Sequence, residues 1–444
     1  MTLRRRLCSA FAAAEASPVR VVVVILAVAL LARVAVVLVY DDYTPLFDTR
    51  DYDRHARSIA AGDGYPTSWI VPGSEENAFR PPLYSYLLAG VYAVTGDSQT
   101  AGRLFGALLG TVVVLLLYLL ADRTLGRRVA LVAAAVAALF PPLVFLSASL
   151  LTEGPFLVVL LGALLAGLFS ARRAGGLGWA LAAGVLCGLA ALTRSNGIIL
   201  ALPIALGLLA AGRARGRRML LAPAAVAVGA LLAVLPWTIR NYAVFDELVP
   251  ISTQSGFGIA GTYNDDAVDR NGYKAVWKLP PNTSLYGPIY RRRGVNEAEL
   301  DREVRSTAIE WALDHPRYVL EAAVVNTARS IEVIELPPGA KEVDRNLLGL
   351  TDRSARLVRW SFFAAVLLGI AGAVFLARGP PPRGPWWLWV SPVVLWLAGS
   401  GVLGFTRYRV PLYPFLALLA AVAVVHGMSL LDSRRRGRSA TGQA

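Results

Sequence analysis

Only two cysteines occur in 444 residues, Cys8 in a basic N-terminal segment and Cys187 in an apolar run, so neither a disulfide framework nor a thiol metal site is available. The three histidines, His55, His315 and His426, lie in unrelated contexts, which argues against a metal centre built from imidazoles. No Walker loop is present and no Gly-x-Gly-x-x-Gly follows a strand, so nucleotide binding finds no support. Charge is scarce as well: 17% of residues are charged against 56% hydrophobic, and the mean hydropathy is +0.53. The charge that remains is unbalanced, with 44 Lys+Arg against 30 Asp+Glu and a formal net charge of +14. Long uncharged runs are unsuited to a solvated nucleic-acid surface and fit a bilayer, which defines a polytopic membrane protein.

Apolar runs near the ~20 residues that cross a hydrocarbon core lie at about 19–40, 102–121, 128–150, 154–170, 177–193, 196–212, 219–238, 357–377, 386–404 and 410–431, about ten helices in all. The third contains Phe140-Pro141-Pro142. Arg4-Arg5-Arg6 precedes a run too long for a signal peptide, so it is read as an uncleaved first span. One side of this arrangement collects most of the arginines, from Arg20, Arg123, Arg127 and Arg172 to Arg378 and Arg434, while the acids gather on the other. The positive-inside rule then makes the basic side cytoplasmic, with both termini on it, in the plasma membrane. The resulting division is a cytoplasmic N-terminus (1–18), a transmembrane module (19–238) including a first extracytoplasmic loop (41–101), a large extracytoplasmic loop (239–356), C-terminal transmembrane helices (357–431) and a basic, disordered cytoplasmic tail (432–444).

Leu83 to Thr95 is apolar but too short to span and is expected to lie along the interface. In the large loop, Glu297 to Glu335 reads mostly as helix, interrupted by Pro316, with an apolar stripe through Tyr318, Leu320, Val324 and Val325. The densest charged stretch follows the first span, from Asp48 through Asp51, Asp53 and Arg54 to His55. Tyr52, Ala56, Ile59 and Ala60 recur there at helical spacing, which places Asp48 at a helix N-terminus, where a carboxylate can serve as a general base; a solvated loop is the plain alternative.

The pattern Asp48-x-x-x-Tyr52-x-x-x-Ala56, then Gly62-Asp63-Gly64-Tyr65 and Arg80-Pro81-Pro82-Leu83-Tyr84, resembles the first outer loop of GT-C glycosyltransferases that use polyprenyl-phosphate sugars. The similarity is to the protein O-mannosyltransferase and lipid A aminoarabinose transferase group. It continues through Ala101-Gly102-Arg103-Leu104, Leu151-Thr152-Glu153, Gly188 to Arg194, Pro236-Trp237-x-x-Arg240-Asn241, His315-Pro316 and Arg407-Tyr408-x-x-Pro411-x-x-Pro414, over roughly residues 20–430. The resemblance implies an all-α, GT-C-like bundle of about ten spans with two larger extracytoplasmic loops carrying amphipathic helices. It also implies a hexosyl- or pentosyltransferase that moves a sugar from a polyprenyl-phosphate donor to a hydroxyl of a lipid, glycan or protein; the apolar runs and the charge distribution leave no nucleic-acid partner.

In such enzymes the Asp of the first loop takes a proton from the acceptor hydroxyl; Asp48 matches that position, with Asp51 and Asp53 as alternatives. The resemblance makes Glu153 a second acid facing the reaction cavity, whereas residue chemistry alone allows simple helix-dipole stabilisation. Asp51, Tyr52, Arg80, Arg103, Arg194, Arg240, Asn241, Arg407 and Tyr408 are the candidate substrate contacts, since a departing phosphate needs cations or hydrogen-bond donors. Snorkelling to the interface is the competing role for each arginine at a span end. No cofactor is assigned; some related transferases use a divalent cation, for which His55 beside Asp48 and Asp51 is a candidate ligand, a structural role being the plain alternative for a lone histidine on a helix. The rival from another class is a transporter or flippase of lipid-linked sugars, which would place its polar groups near mid-membrane and show repeated halves.

Overall fold

A computed structural model describes residues 18–68, 70, 77–172, 176–212, 216–270, 272–378 and 384–441. Arg4-Arg5-Arg6 and the rest of the proposed N-terminal cytoplasmic segment up to residue 17 lie outside the described residues. Inside a bilayer every backbone N–H and C=O must be paired within the chain, so apolar runs become helices even when rich in β-branched residues, as Val21 to Val24 in the first one are. The bundle comprises α1 (Pro18–Val39), α4 (Gln99–Thr124), α5 (Arg127–Leu139), α6 (Pro141–Ser147), α7 (Glu153–Arg172), α8 (Leu177–Thr193), α9 (Ala201–Ala211), α10 (Leu221–Phe245), α17 (Asp352–Arg378), α18 (Trp387–Leu403) and α19 (Tyr413–Thr441). The first loop supplies α2 (Asp48–Ala61) and α3 (Pro82–Thr95). The large loop supplies α11 (Gln254–Ala260), α12 (Asp265–Val268), a two-residue-per-strand antiparallel hairpin (Asp269–Arg270 with Tyr273–Lys274), α13 (Gly287–Tyr290), α14 (Glu297–Asp314), α15 (Pro316–Ser330) and α16 (Pro338–Leu347).

All ten apolar stretches are helical, and the chain is a multi-pass membrane protein. Six helices among the described residues are long and apolar enough to cross a bilayer, or up to seven if α5 and α6 count as one bent span. The other three stretches are shorter helices: Leu177–Thr193, Ser195–Ala211 and Trp387–Leu403. Helix α7 is enclosed by its neighbours, whereas α1, α10 and α17 present apolar side chains such as Val24, Leu31, Leu232 and Leu367 outward, as lipid contact requires. The last helix runs through the basic residues to Thr441, past the expected end of the span at 431, so the tail continues the helix where disorder was expected.

The third stretch is not one straight helix: its halves meet at 57° around Phe140. Pro141 and Pro142 carry no N–H, so the carbonyls four residues earlier, Ala137 and Ala138, lose their helical donors. Arg33, fully buried in α1, replaces them, donating from Nη2 to Ala137 O (3.3 Å) and from Nη1 to Ala138 O (2.9 Å), with Nε on Ser147 Oγ (3.3 Å). A Cβ at Gly110 of α4 would lie 2.6 Å from Arg33 Nε and 2.1 Å from Ser147 Oγ, so only glycine fits beside this junction. Arg33→Met should leave both carbonyls unpaired in the bundle core, at about 1–3 kcal/mol each. Its thermal midpoint in detergent should fall by several degrees; a midpoint equal to wild type would show that the bend does not depend on Arg33.

Helix α14 begins at Glu297 with Asn296 accepting from Glu299 N (2.8 Å), and His315-Pro316 separates it from α15 as the sequence indicates. The stripe expected on α15 divides: Tyr318 is buried, but Leu320 and Val324 are 70% and 69% exposed and Val325 is half-buried. The inward face instead carries Ala322, Asn326 and Arg329, whose polar groups bond backbone carbonyls of Val402, Lys274 and Ala275. Leu83 to Thr95 is helical within α3, and its Tyr84, Leu88 and Tyr92 pack on Tyr52 and Ala56 of α2.

Candidate active site

Asp48 opens α2, and the residue before it, Phe47, adopts a φ of 52°, a conformation that costs a non-glycine residue about 1–3 kcal/mol. Thr49 Oγ1 closes the turn by accepting from Leu46 N and donating to Leu46 O, both at 2.8 Å. Tyr52 and Ala56 are buried one and two turns on, as the spacing predicts, and Ile59 and Ala60 are half-buried on the same face. This leaves the Asp48 and Asp51 carboxylates at the helix N-terminus, where the backbone dipole favours them.

Two arginines converge on these acids from distant parts of the chain. Arg80, at the turn into α3, donates from Nη2 to Asp48 Oδ1 (2.6 Å) and from Nη2 and Nε to Asp51 Oδ2 (2.7 and 3.0 Å). Arg407, in the 3-10 turn Thr406–Leu412 leading into α19, donates from Nη1 to Asp48 Oδ2. Each oxygen of Asp48 is thus held by a different guanidinium. Burial alone would raise the Asp48 pKa, but Arg407 and then Arg80 outweigh it and hold the carboxyl well below the usual carboxylate range. At Asp51 burial prevails over Arg80 and the pKa is pushed up. Asp53 is elsewhere committed, accepting from Tyr92 Oη (2.6 Å), Arg57 Nε (2.9 Å) and Gln99 Nε2 (3.1 Å).

A second ion pair lies beside the first. Buried Glu153, at the start of α7, accepts from Arg194 Nη1, and the Arg194 and Arg407 guanidinium carbons both lie over the Tyr408 ring, 5.1 and 5.4 Å from its centroid. Glu153, Arg194, Tyr408 and Arg407 line one small pocket. A cavity of about 940 Å³ adjoins it, sharing Arg407 and reaching α16, and an apolar one of about 670 Å³ lies between α17, α18 and α19, walled by residues such as Leu376, Trp389, Phe415 and Leu419.

The remaining candidates do not join this cluster. Arg103 is buried but donates to Ala148 O (2.8 Å) and Tyr40 O (2.7 Å) over the Tyr43 ring, tying the bent third span to the end of α1. Arg240 bonds Asn77 O (2.9 Å) and lies over Trp237 and Tyr65, and Asn241 donates to Val249 O (3.0 Å). Arg240 supports the segment leading to Arg80, which is anchored further where Ala78 N, Ser68 and Thr253 donate to buried Glu297. His55 has both ring nitrogens engaged, Nδ1 with Asp51 O (2.5 Å) and Nε2 with the Asn77 amide (3.2 Å). Burial holds its pKa down to about 4, so the ring is neutral at pH 7. Among the described residues no group of three or more His, Cys, Asp or Glu is placed to hold a metal ion.

A sequence model of the family described as dolichyl-phosphate-mannose-protein mannosyltransferase matches residues 79–239. Searched against curated proteins, the chain finds no match. Among solved structures, the apo oligosaccharyltransferase of Archaeoglobus fulgidus superposes with a TM-score of 0.54 at 15% identity, covering 95% of this chain and 52% of that one. The oligosaccharyltransferase AglB from Archaeoglobus fulgidus in complex with an inhibitory peptide and a dolichol-phosphate gives 0.54 at 16% identity, covering 94% and 52%. This is a GT-C fold. ArnT from Cupriavidus metallidurans bound to undecaprenyl phosphate is also similar, with a TM-score of 0.44 at 17% identity over 93% of this chain and 79% of that one, and adds nothing further to the fold assignment. The chain spans about half the length of the oligosaccharyltransferases it matches, 52%.

Within the GT-C fold, the family match covers Arg80, Arg103, Glu153 and Arg194, but neither Asp48 nor Arg407. Sequence reasoning missed Arg33, Glu297 and Arg409. A charge in mid-span is a signal that could have flagged Arg33. Arg409 bonds Glu332 Oε2 (2.9 Å) and Tyr413 Oη (3.1 Å), and no motif marks those partners.

Proposed function

We propose that this protein transfers a hexosyl or pentosyl unit from a polyprenyl-phosphate donor to a hydroxyl of a lipid, glycan or protein acceptor, at the extracytoplasmic face of the plasma membrane. The observation that carries the reading is Asp48, a carboxylate at a helix N-terminus held between two guanidiniums, one of them on the last span. Asp48 takes the proton of the acceptor hydroxyl as its oxygen attacks the anomeric carbon; the bond from that carbon to the phosphate oxygen breaks, and polyprenyl phosphate leaves with the electron pair. A single displacement of this kind inverts the anomeric centre. Arg407 and Arg194 lie where growing negative charge on the leaving phosphate would draw them. As Arg407 turns to the phosphate it releases Asp48 Oδ2, so the base becomes available when the donor is in place.

The apolar cavity between α17, α18 and α19 suits the prenyl tail. The arginines support this orientation: Arg172 of α7 donates to Arg123 O of α4 (2.8 Å) at the ends of those helices opposite the site, on the side rich in positive charge. Both termini are then cytoplasmic and the site faces outward. A transporter would need polar groups at mid-membrane, and the buried mid-span arginine, Arg33, has its donors committed to backbone carbonyls and Ser147.

The test is transfer by purified protein in nanodiscs, supplied with a panel of radiolabelled polyprenyl-phosphate sugars and a membrane extract as acceptor. Label should move from at least one donor to acceptor. If no sugar moves while proteoliposomes still carry the lipid across the bilayer, the glycosyltransferase reading is lost.

A further inference from the structure

Arg407 reaches Asp48 from the seven-residue 3-10 turn Thr406–Leu412. A 3-10 run of that length outlasts what its poor hydrogen-bond geometry usually sustains, so contacts outside the turn must hold its backbone. The Arg407 side chain does not provide them: among the described residues its one ion-pair partner is Asp48. The first residue of the turn is held by Asp344 of α16, whose Oδ2 accepts from Thr406 N (2.9 Å) and Thr406 Oγ1 (2.8 Å). Beyond Arg407 the hold passes to Arg409.

Arg409 is 2% exposed. Its Nη1 donates to Glu332 Oε2 (2.9 Å) and Ser330 O (3.2 Å), its Nε donates to Tyr413 Oη (3.1 Å), and its guanidinium carbon lies 3.7 Å from the centroid of the Phe362 ring on α17. At three residues per turn, positions 407 and 409 leave the backbone in different directions, so one arginine meets the first loop while the other is bolted to the end of α15 and to α17. Glu332 has a φ of 59°, uncommon for a residue with a side chain, and closes the turn after α15 with its N donating to Arg329 O (2.9 Å). Its Oε1 also faces Arg359 Nε of α17 (3.4 Å). A buried guanidinium is tolerated only while its carboxylate and remaining acceptors stay in place, so neutralising Glu332 loosens Arg409 and, with it, the turn.

We propose that the Glu332–Arg409 pair positions Arg407, fixing the backbone from which its guanidinium reaches Asp48 while the side chain stays free to swing to a leaving phosphate. Glu332 and Arg409 act only through Arg407 and are positioning residues. The functional part of this inference rests on the glycosyltransferase reading, because that reading gives Arg407 its role.

The experiment compares full-length wild type, Glu332→Gln, Arg407→Gln and the variant carrying both changes, in nanodiscs, by initial rates of sugar transfer and by hydrogen–deuterium exchange of the Thr406–Leu412 amides. Glu332→Gln should lower kcat/KM about tenfold, move its acid limb to higher pH in the same sense as Arg407→Gln, and speed exchange of the turn about tenfold. Once Arg407 is replaced, adding Glu332→Gln should cost less than a further twofold, since residues acting through one group are not additive. Arg409→Lys, which keeps a cation opposite Glu332, should retain at least threefold more activity than Arg409→Gln. Full additivity in the double variant, or turn amides that exchange at the wild-type rate in Glu332→Gln, overturns the inference. Equal losses in the two Arg409 variants overturn it as well, because packing and not the charge pair would then hold the turn. Wild type that transfers no sugar overturns the glycosyltransferase reading instead, and the exchange rates alone then decide whether the pair holds the turn.

Discussion

Replacing Asp48 by Asn should reduce sugar transfer by about 10²–10⁴-fold, the range for loss of a positioned general base, while the protein still inserts and folds. The amide is isosteric and keeps an acceptor for Arg80, which retains its two bonds to Asp51. Asp51→Asn should have a smaller effect, about tenfold, because Asp51 orients Arg80 and is not itself the base. Initial rates of both variants, at matched protein content and with thermal midpoints near wild type, check this. Equal transfer by Asp48→Asn and wild type would remove Asp48 from the base role and point to Asp51, whose raised pKa makes it the stronger base of the two in the empty site.

Arg407→Gln should also have a large effect and should leave a second signature in the pH profile. Loss of a guanidinium from the leaving phosphate is expected to lower the rate by about 10²–10³-fold, as for other donors aimed at developing negative charge. The sign of the pH effect follows from Asp48. In the free enzyme Arg407 and Arg80 hold its pKa below the usual carboxylate range, so it stays ionised down to a pH below about 4. Without Arg407 the effect of burial gains on the remaining attraction to Arg80, and the pKa rises. The acid limb of kcat/KM, which reports the free enzyme, should therefore move to higher pH in the variant. Superimposable acid limbs would show that Arg407 does not set the ionisation of Asp48.

What could be read along the chain was local. A helix starting at Asp48 was legible because Tyr52 and Ala56 recur one and two turns later. A helix start at Glu153 and an interruption at Pro316 were legible because composition and proline act within a turn or two. Proline at 141 and 142 was visible too, but its consequence was not: the 57° bend and its repair by Arg33 depend on a residue more than a hundred positions away. Arg103 shows the converse. Its place near the end of a span is compatible with phosphate binding, and only its bonds to Ala148 O and Tyr40 O show where its donors are directed.

The amino-acid sequence by itself determined that this chain lives in a bilayer, which stretches are helical, and that its acids and arginines gather at helix ends, because hydropathy, helical periodicity and proline act over one or two turns. Tertiary structure decided which carboxylate each arginine meets. Arg80 could have paired with any of several acids in the first loop, and Arg407 is 359 positions from Asp48. Nothing local distinguishes these choices. Contact between such residues exists only after the span carrying Arg407 packs beside the loop carrying Asp48.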